Sequence, residues 1–236
     1  MRRPAALLAA VAVTLAAALT VVAPAGSANE CDGLQVCIPI EGPWVVVPTA
    51  AGAARPQASW QLTCPRGHIV GGLDARLSQR AIDLSFLGML GSPVNPGITT
   101  SRSAVFVGSY VGAGTSGPTF KPHIGCMPAR GGGSRIPTIA GAFQPGEPPV
   151  RRVRTVRVRP GTTTVVARCT ARERLVKGTF AFGFFTRRPP ASGLAASISG
   201  TQSTAGRAVS VRVQGDAELA GVRAVVQVQA VCAVAR

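Results

Sequence analysis

The stretch that decides the fold lies near the end of the chain: Val222-Arg223-Ala224-Val225-Val226-Gln227-Val228-Gln229-Ala230-Val231-Cys232. Small apolar side chains at the even positions share one face with Cys232, and the other face carries Arg223, Gln227 and Gln229. A period of two residues is typical of a β-strand. The same alternation occurs at 209–214 and at 165–169, and each cysteine in these segments falls on the apolar face. The sequence therefore predicts strands bridged by buried disulfides.

Glycine and proline interrupt the chain at intervals of about 8 to 12 residues after residue 40, a spacing typical of β-sandwiches and barrels. Phe180, Phe182 and Phe184 alternate in a way that suits a sheet core. The one candidate helix is 75–90, although it contains Gly88. With 46% hydrophobic residues the chain can form a core, so we predict an all-β fold.

Six cysteines follow the N-terminal apolar run, and sequence alone allows 15 pairings among them. Cys64 and Cys126 lie 62 residues apart, and Cys169 and Cys232 lie 63 apart, which favours a repeat with one long bridge in each copy. Similar segments recur in the same order around both pairs, for example 102–107 and 207–211. The pairing that follows is Cys31–Cys37, Cys64–Cys126 and Cys169–Cys232.

The organisation predicted is two tandem disulfide-stapled β-sandwich-like units after a signal peptide. Arg2 and Arg3 precede an uncharged apolar run, and small residues up to Ala25 or Ala28 offer two cleavage sites. The segments are a signal peptide (1–28), a short disulfide loop (29–37), a first β unit (38–127), a Gly/Pro-rich linker (128–149) and an Arg-rich second β unit (150–236). We expect a secreted protein, associated with the cell surface or free, with no membrane span after cleavage.

Residues 64–72 read Cys64-Pro65-Arg66-Gly67-His68-Ile69-Val70-Gly71-Gly72. This segment resembles a CPxGxxVGG-type motif of uncharacterised secreted β-rich proteins from high-GC Gram-positive bacteria. There the motif opens a strand, and a later cysteine follows near the domain end. The resemblance covers about 70 residues of the first unit. It implies a β-rich fold and export, and it implies no activity.

The chain carries 25 basic and 9 acidic residues, and eleven of the basic ones lie between 151 and 188. Such a cluster attracts polyanions. If the strands around 157 and 168 are neighbours, their arginines form one stripe, and aromatic residues that would stack bases are missing from it. The candidate partner is an anionic cell-wall polymer or an acidic glycan rather than a specific nucleic acid. The candidate residues are Arg154, Arg157, Arg159, Arg168, Arg172 and Arg174. The alternative is that the arginine content reflects a GC-rich genome and that the basic face has no role in binding.

Few side chains suit catalysis, so we predict no catalytic residue, metal or cofactor and favour a non-enzymatic protein. The alternative is an exported hydrolase or inhibitor with a site around His68, His123, Tyr110 and the glycine loop 112–117. Strand parity puts His68 on the Cys64 face and His123 opposite the Cys126 face, and surface exposure is the default expectation for both histidines. A third possibility is a structural component of the wall or spore coat.

Overall fold

The computed structural model describes residues 29–34, 36–49, 56–87, 102–113, 117–129 and 149–234. The predicted signal peptide and most of the predicted linker lie outside these ranges. Strands dominate the described residues, which confirms the all-β fold. They are β1 (Ile38–Glu41), β2 (Trp44–Val46), β3 (Gln57–Thr63), β4 (His68–Leu77), β5 (Ile82–Leu87), β6 (Ser103–Tyr110), β7 (Thr119–Pro128), β8 (Val150–Val158), β9 (Gly161–Arg168), β10 (Glu173–Phe184), β11 (Ile198–Ala205), β12 (Ala208–Gly215) and β13 (Ala224–Val234).

One seven-stranded antiparallel sheet contains strands from both predicted units. Its order is β1-β7-β2-β10-β13-β8, and β4 pairs with the other edge of β7. The two halves of the sheet meet where β2 pairs with β10, with Gly183 opposite Val45 and Phe184 opposite Trp44. Strands from both predicted units therefore belong to one sheet.

A three-stranded sheet covers each half of this large sheet, on opposite faces. Sheet β3-β6-β5 encloses a first core that contains Trp60, Phe106, Phe120 and Ile124. Sheet β11-β12-β9 encloses a second core, which is built mainly from valines together with Phe184. The first core also takes up Ala181 and Val225 from the second unit, so packing as well as strand pairing joins the units.

All three disulfides form as the spacing predicted: Cys31–Cys37, Cys64–Cys126 and Cys169–Cys232. Cys64 and Cys126 lie in the first core, and Cys169 and Cys232 lie in the second. The apolar face predicted for β13 is correct as well, since its even-numbered side chains from Ala224 to Cys232 pack into the second core.

The candidate helix at 75–90 is wrong. Ala75, Arg76 and Leu77 belong to β4 and pair with β7, and 82–87 forms β5 on β6. Ala, Arg and Leu favour helices locally, but pairing with partners distant in sequence overrides this weak preference. The helices of the described chain lie elsewhere: α1 (Ser192–Ala196) and a 3₁₀ turn at Ala217–Gly221.

Candidate functional site

The charge of the protein is divided unequally between the two units. Residues 29–127 hold six basic and five acidic residues, whereas the second unit (150–236) holds fifteen basic and three acidic ones. The first unit with its N-terminal loop is therefore close to neutral, and the second unit has an excess of twelve positive charges. Any polyanion that approaches the protein is attracted to the second unit.

The basic residues concentrate where the Cys169–Cys232 disulfide closes one end of the second unit. Arg168 ends β9 directly before Cys169, whose backbone N–H donates to the carbonyl oxygen of Arg207 at 2.9 Å. Nη1 of Arg207 in turn donates to the carbonyl oxygen of Thr170 at 3.1 Å. We call this region the basic end. Its members are Arg151, Arg152, Arg168, Arg172, Arg174, Lys177 and Arg207.

The large sheet contributes the other half of the basic end. Arg174, the second residue of β10, lies opposite Ala233. Lys177 on β10 and Arg151 on β8 lie on either side of Val231, so the two basic side chains belong to one row across the sheet. The basic end is thus assembled from the ends of β8, β9 and β10 and from the turn between β11 and β12.

Glu173 is the one acidic residue at the basic end among the residues that the structure describes. Its carboxylate accepts hydrogen bonds from Nη2 of Arg152 at 2.5 Å and from the backbone N–H of Thr170 at 2.8 Å. These hydrogen bonds lower the pKa of Glu173 to about 2, and the bond from Arg152 has the largest effect. Glu173 also lies beside the sulfurs of Cys169 and Cys232, but these are joined in a disulfide and cannot bind a metal ion as thiolates.

The members of the basic end differ in how far their charged groups are already engaged. Arg151 is partly buried: its Nη1 donates to Oε1 of Gln229 at 3.1 Å, and burial lowers its pKa. Arg168, Arg172 and Arg174 are exposed, and their guanidinium groups make no hydrogen bond to another described residue. Five N–H donors on each of these three groups remain available to an anion.

The structure places three of the six arginines that the sequence selected at the same end of the second unit. Arg168, Arg172 and Arg174 belong to the basic end, whereas Arg157 and Arg159 lie at the opposite end of β8. Arg154 is exposed in the middle of β8, which is the edge strand of the large sheet. The proposed stripe needed β8 and β9 to be neighbours, but β8 pairs with β13 and β9 pairs with β12.

Four members of the basic end were not among the predicted site residues. Arg151, Arg152 and Lys177 belong to the basic run of 151–188, so the sequence contained a signal for them. Arg207 carries no such signal, because only the pairing of β12 with β9 brings the β11–β12 turn to Cys169.

The expected surface exposure is wrong for His123, whose side chain is fully buried. The parity prediction is correct: β7 points Ile124 and Cys126 into the first core and His123 away from it. The opposite face is nevertheless covered by the N-terminal loop, and the Glu30 carboxylate lies 3.7 Å from Nδ1 of His123. Burial lowers the pKa of His123, and the carboxylates of Glu30 and Glu41 oppose this only in part.

The other components of the alternative site are dispersed. His68 lies opposite Pro128 on β7. Pro128 is five residues from His123 along this strand, so roughly 17 Å separates the two histidines along the strand direction. Tyr110 lies in another sheet, opposite Ile82. Part of the glycine loop 112–117 lies outside the described residues. The structure does not bring the two histidines into one site.

A groove of about 480 Å³ separates the end of β2 from α1. Hydroxyl groups come from Thr49 and Ser192, and the rest of the lining is backbone and small apolar side chains such as Val46 and Ala195. Among the described residues that line the groove, none has a titratable side chain.

No model of a known protein family matches the chain, and neither a curated protein nor a solved structure matches it significantly. Within the described residues, no helix has the length and apolar character needed to cross a lipid bilayer.

Proposed function

We propose that this protein is a secreted, non-enzymatic binding protein that holds an anionic polymer through the basic end of its second unit. The observation that carries the proposal is the placement of seven basic residues at the end of the second unit that holds the Cys169–Cys232 disulfide, where Glu173, the one acid among the described residues there, is already paired with Arg152. A location outside the cell is supported by three disulfides, which persist in oxidising compartments.

The proposed ligand is a polymer with repeated phosphate or carboxylate groups, such as a cell-wall polymer or an acidic glycan. Guanidinium groups bind both anions in a bidentate manner, and Arg168, Arg172 and Arg174 lie exposed within seven residues of chain. Several weak charge contacts along one polymer add up, because each contact releases condensed counterions. A short monovalent anion would gain little from the same surface.

The test compares two triple variants with the same change in charge. Arg168→Glu/Arg172→Glu/Arg174→Glu removes the exposed arginines of the basic end, and Arg159→Glu/Arg187→Glu/Arg188→Glu alters exposed arginines at the opposite end. Binding is measured by titration with poly(glycerol phosphate) and, separately, with a polyuronate, at several salt concentrations.

We expect the first triple variant to lose at least about tenfold in affinity and to reduce the slope of log K against log salt by about three. The second triple variant should lose less than about threefold. Equal losses in both variants would show that net charge, and not the basic end, drives binding. The polymer that binds more tightly to the wild-type protein identifies phosphate or carboxylate as the preferred group.

A further inference from the structure

The N-terminal loop is docked on the large sheet through its backbone. Gly72 on β4 and Gly125 on β7 lie opposite each other, and a Cβ atom on either would collide with the carbonyl oxygen of Glu30. The two glycines therefore form a slot that only a bare backbone leaves open. The side chain of Glu30 is buried in this position, against His123.

Asn29 is the point where the docked chain reaches the surface. It is exposed, whereas Glu30 is only 6% exposed. The backbone nitrogen of Asn29 donates to Oδ2 of Asp74 at 2.6 Å. Oδ1 of Asp74 accepts a hydrogen bond from the backbone N–H of Ala75 at 2.7 Å. One oxygen of this carboxylate is thus oriented by β4, and the other is aimed at the nitrogen of residue 29.

The disulfide Cys31–Cys37 and two turn hydrogen bonds hold this geometry in place. The N–H of Asp32 donates to the carbonyl oxygen of Asn29, and the N–H of Leu34 donates to that of Cys31, both at 3.1 Å. The carbonyl of residue 29 is therefore fixed by the loop, and its nitrogen is fixed by Asp74.

We infer that Asp74 is the binding site for a new N-terminus formed by cleavage between Ala28 and Asn29. Hydrolysis of that peptide bond consumes one water, leaves a carboxylate on Ala28 and gives Asn29 an α-ammonium group. The nitrogen that the carboxylate holds as a neutral amide then carries a positive charge, so a hydrogen bond becomes an ion pair. The inference rests on the predicted signal peptide and is independent of polyanion binding.

The alternative cleavage site after Ala25 gives a different outcome. Gly26, Ser27 and Ala28 would then precede Asn29, whose nitrogen would remain a neutral amide. Asp74 would have no α-ammonium partner at this position. The two cleavage sites allowed by the sequence are thus distinguished by the chemistry of the nitrogen beside Asp74.

The first measurement is the intact mass and N-terminal sequence of the protein exported from its full-length precursor. We expect a chain that begins at Asn29; a start at Gly26 or an unprocessed chain would overturn the inference. The second measurement is the pH profile of α-amine acylation, followed by peptide mapping, because only Lys121 and Lys177 compete as side-chain amines.

An ion pair with Asp74 should raise the pKa of the α-ammonium above its usual value of about 8 and slow its acylation at pH 7. We expect Asp74→Asn to label about threefold to tenfold faster than the wild-type protein, whereas Asp83→Asn, on β5, should label at the wild-type rate. Equal rates in wild type and Asp74→Asn would contradict the inference. Should Asp74→Asn fail to fold, a wild-type profile with a pKa of 8 or below would contradict it equally.

Discussion

The side chain of Gln227 hydrogen-bonds to both backbone polar groups of Gln61, a residue 166 positions away. The backbone N–H of Gln61 donates to Oε1 of Gln227 at 2.6 Å, and Nε2 of Gln227 donates to the carbonyl oxygen of Gln61 at 3.1 Å. Gln229 adds a similar contact, since its Nε2 donates to the carbonyl oxygen of Ser59. Because β3 is an edge strand, these side chains satisfy backbone groups that would otherwise lack a strand partner.

Gln227→Ala should therefore destabilise the protein by about 1–3 kcal/mol, since it leaves two partly buried groups of Gln61 unpaired. Urea unfolding measures the loss. Gln214→Ala is the control, because Gln214 is exposed and its hydrogen bond to Thr162 lies at the surface. An equal change in both variants would mean that the contact between β13 and β3 contributes nothing specific.

The long disulfides should each stabilise the fold substantially. Each closes a loop of just over 60 residues, which the chain-entropy estimate converts to about 4 kcal/mol. The Cys31–Cys37 loop is far shorter, so the same estimate gives about 2 kcal/mol. Paired Cys→Ala variants, compared by chemical denaturation, should show this order. A greater loss from Cys31→Ala/Cys37→Ala would contradict the loop-length argument.

The alternation in β13 was sufficient to predict an apolar face with Cys232, but it could not show what covers Gln227 and Gln229. A polar face is normally solvated. Here it is buried, because a strand edge more than 160 residues away offers N–H and C=O groups at the right spacing. Sequence pattern reports which side chains share a face, whereas the partner of that face depends on tertiary packing.

The same limit applies to the candidate site. Arg157 and Arg159 were grouped with Arg168 on the condition that their strands are neighbours in one sheet, yet β8 and β9 belong to different sheets and the length of β9 separates the first two from Arg168. Arg207 joins the basic end through strand pairing alone. Strand parity placed His123 on the correct face, and only the docking of Glu30 over Gly125 explains why that face is buried.

His123 should make the protein sensitive to mild acid. Since burial lowers its pKa, the unfolded chain binds a proton near pH 6.5 while the folded chain does not, so stability falls as the pH drops below about 6.5. The charged groups that act on this pKa are Glu30, Glu41, Lys121 and Arg76, of which the carboxylates oppose the shift and the cations reinforce it; Asp74 lies opposite His123 on β4.

His123→Leu should flatten the fall in stability as the pH drops below about 6.5, because it removes the group whose protonation in the unfolded chain causes that fall. His68→Leu is the control, since His68 is only partly buried at the start of β4. Thermal melting across this pH range is the measurement. If the melting temperature of His123→Leu depended on pH as strongly as that of the wild type, another group would be responsible for the pH dependence.

Glu173 should make the stability of the protein depend on pH at more acidic values than His123 does. Its pKa is lowered to about 2 by Arg152 and by the N–H of Thr170, so the stability it provides is present above its unfolded pKa of about 4.5 and is lost as the pH falls towards 2. Glu173→Gln should reduce stability at pH 6 and converge with the wild type near pH 2. Glu218→Gln, in the 3₁₀ turn, is the control, because it removes one carboxylate of the second unit without touching Arg152. If the stability of Glu173→Gln changed with pH in the same way as that of the wild type, the ion pair with Arg152 would be excluded as a source of stability.

Gly125→Ala should detach the N-terminal loop while leaving the first core intact. The new methyl group would occupy the position of the Glu30 carbonyl oxygen and would also lie 2.9 Å from Sγ of Cys37, so the loop must move. Glu30 would then leave His123, and water would reach a histidine that is otherwise fully buried. We expect faster reduction of Cys31–Cys37 by a thiol reagent and faster hydrogen exchange in the loop. Gly193→Ala in α1 is the matched control, because a Cβ there meets no atom within 4 Å. Unchanged reduction in Gly125→Ala would mean that the slot formed with Gly72 does not hold the loop.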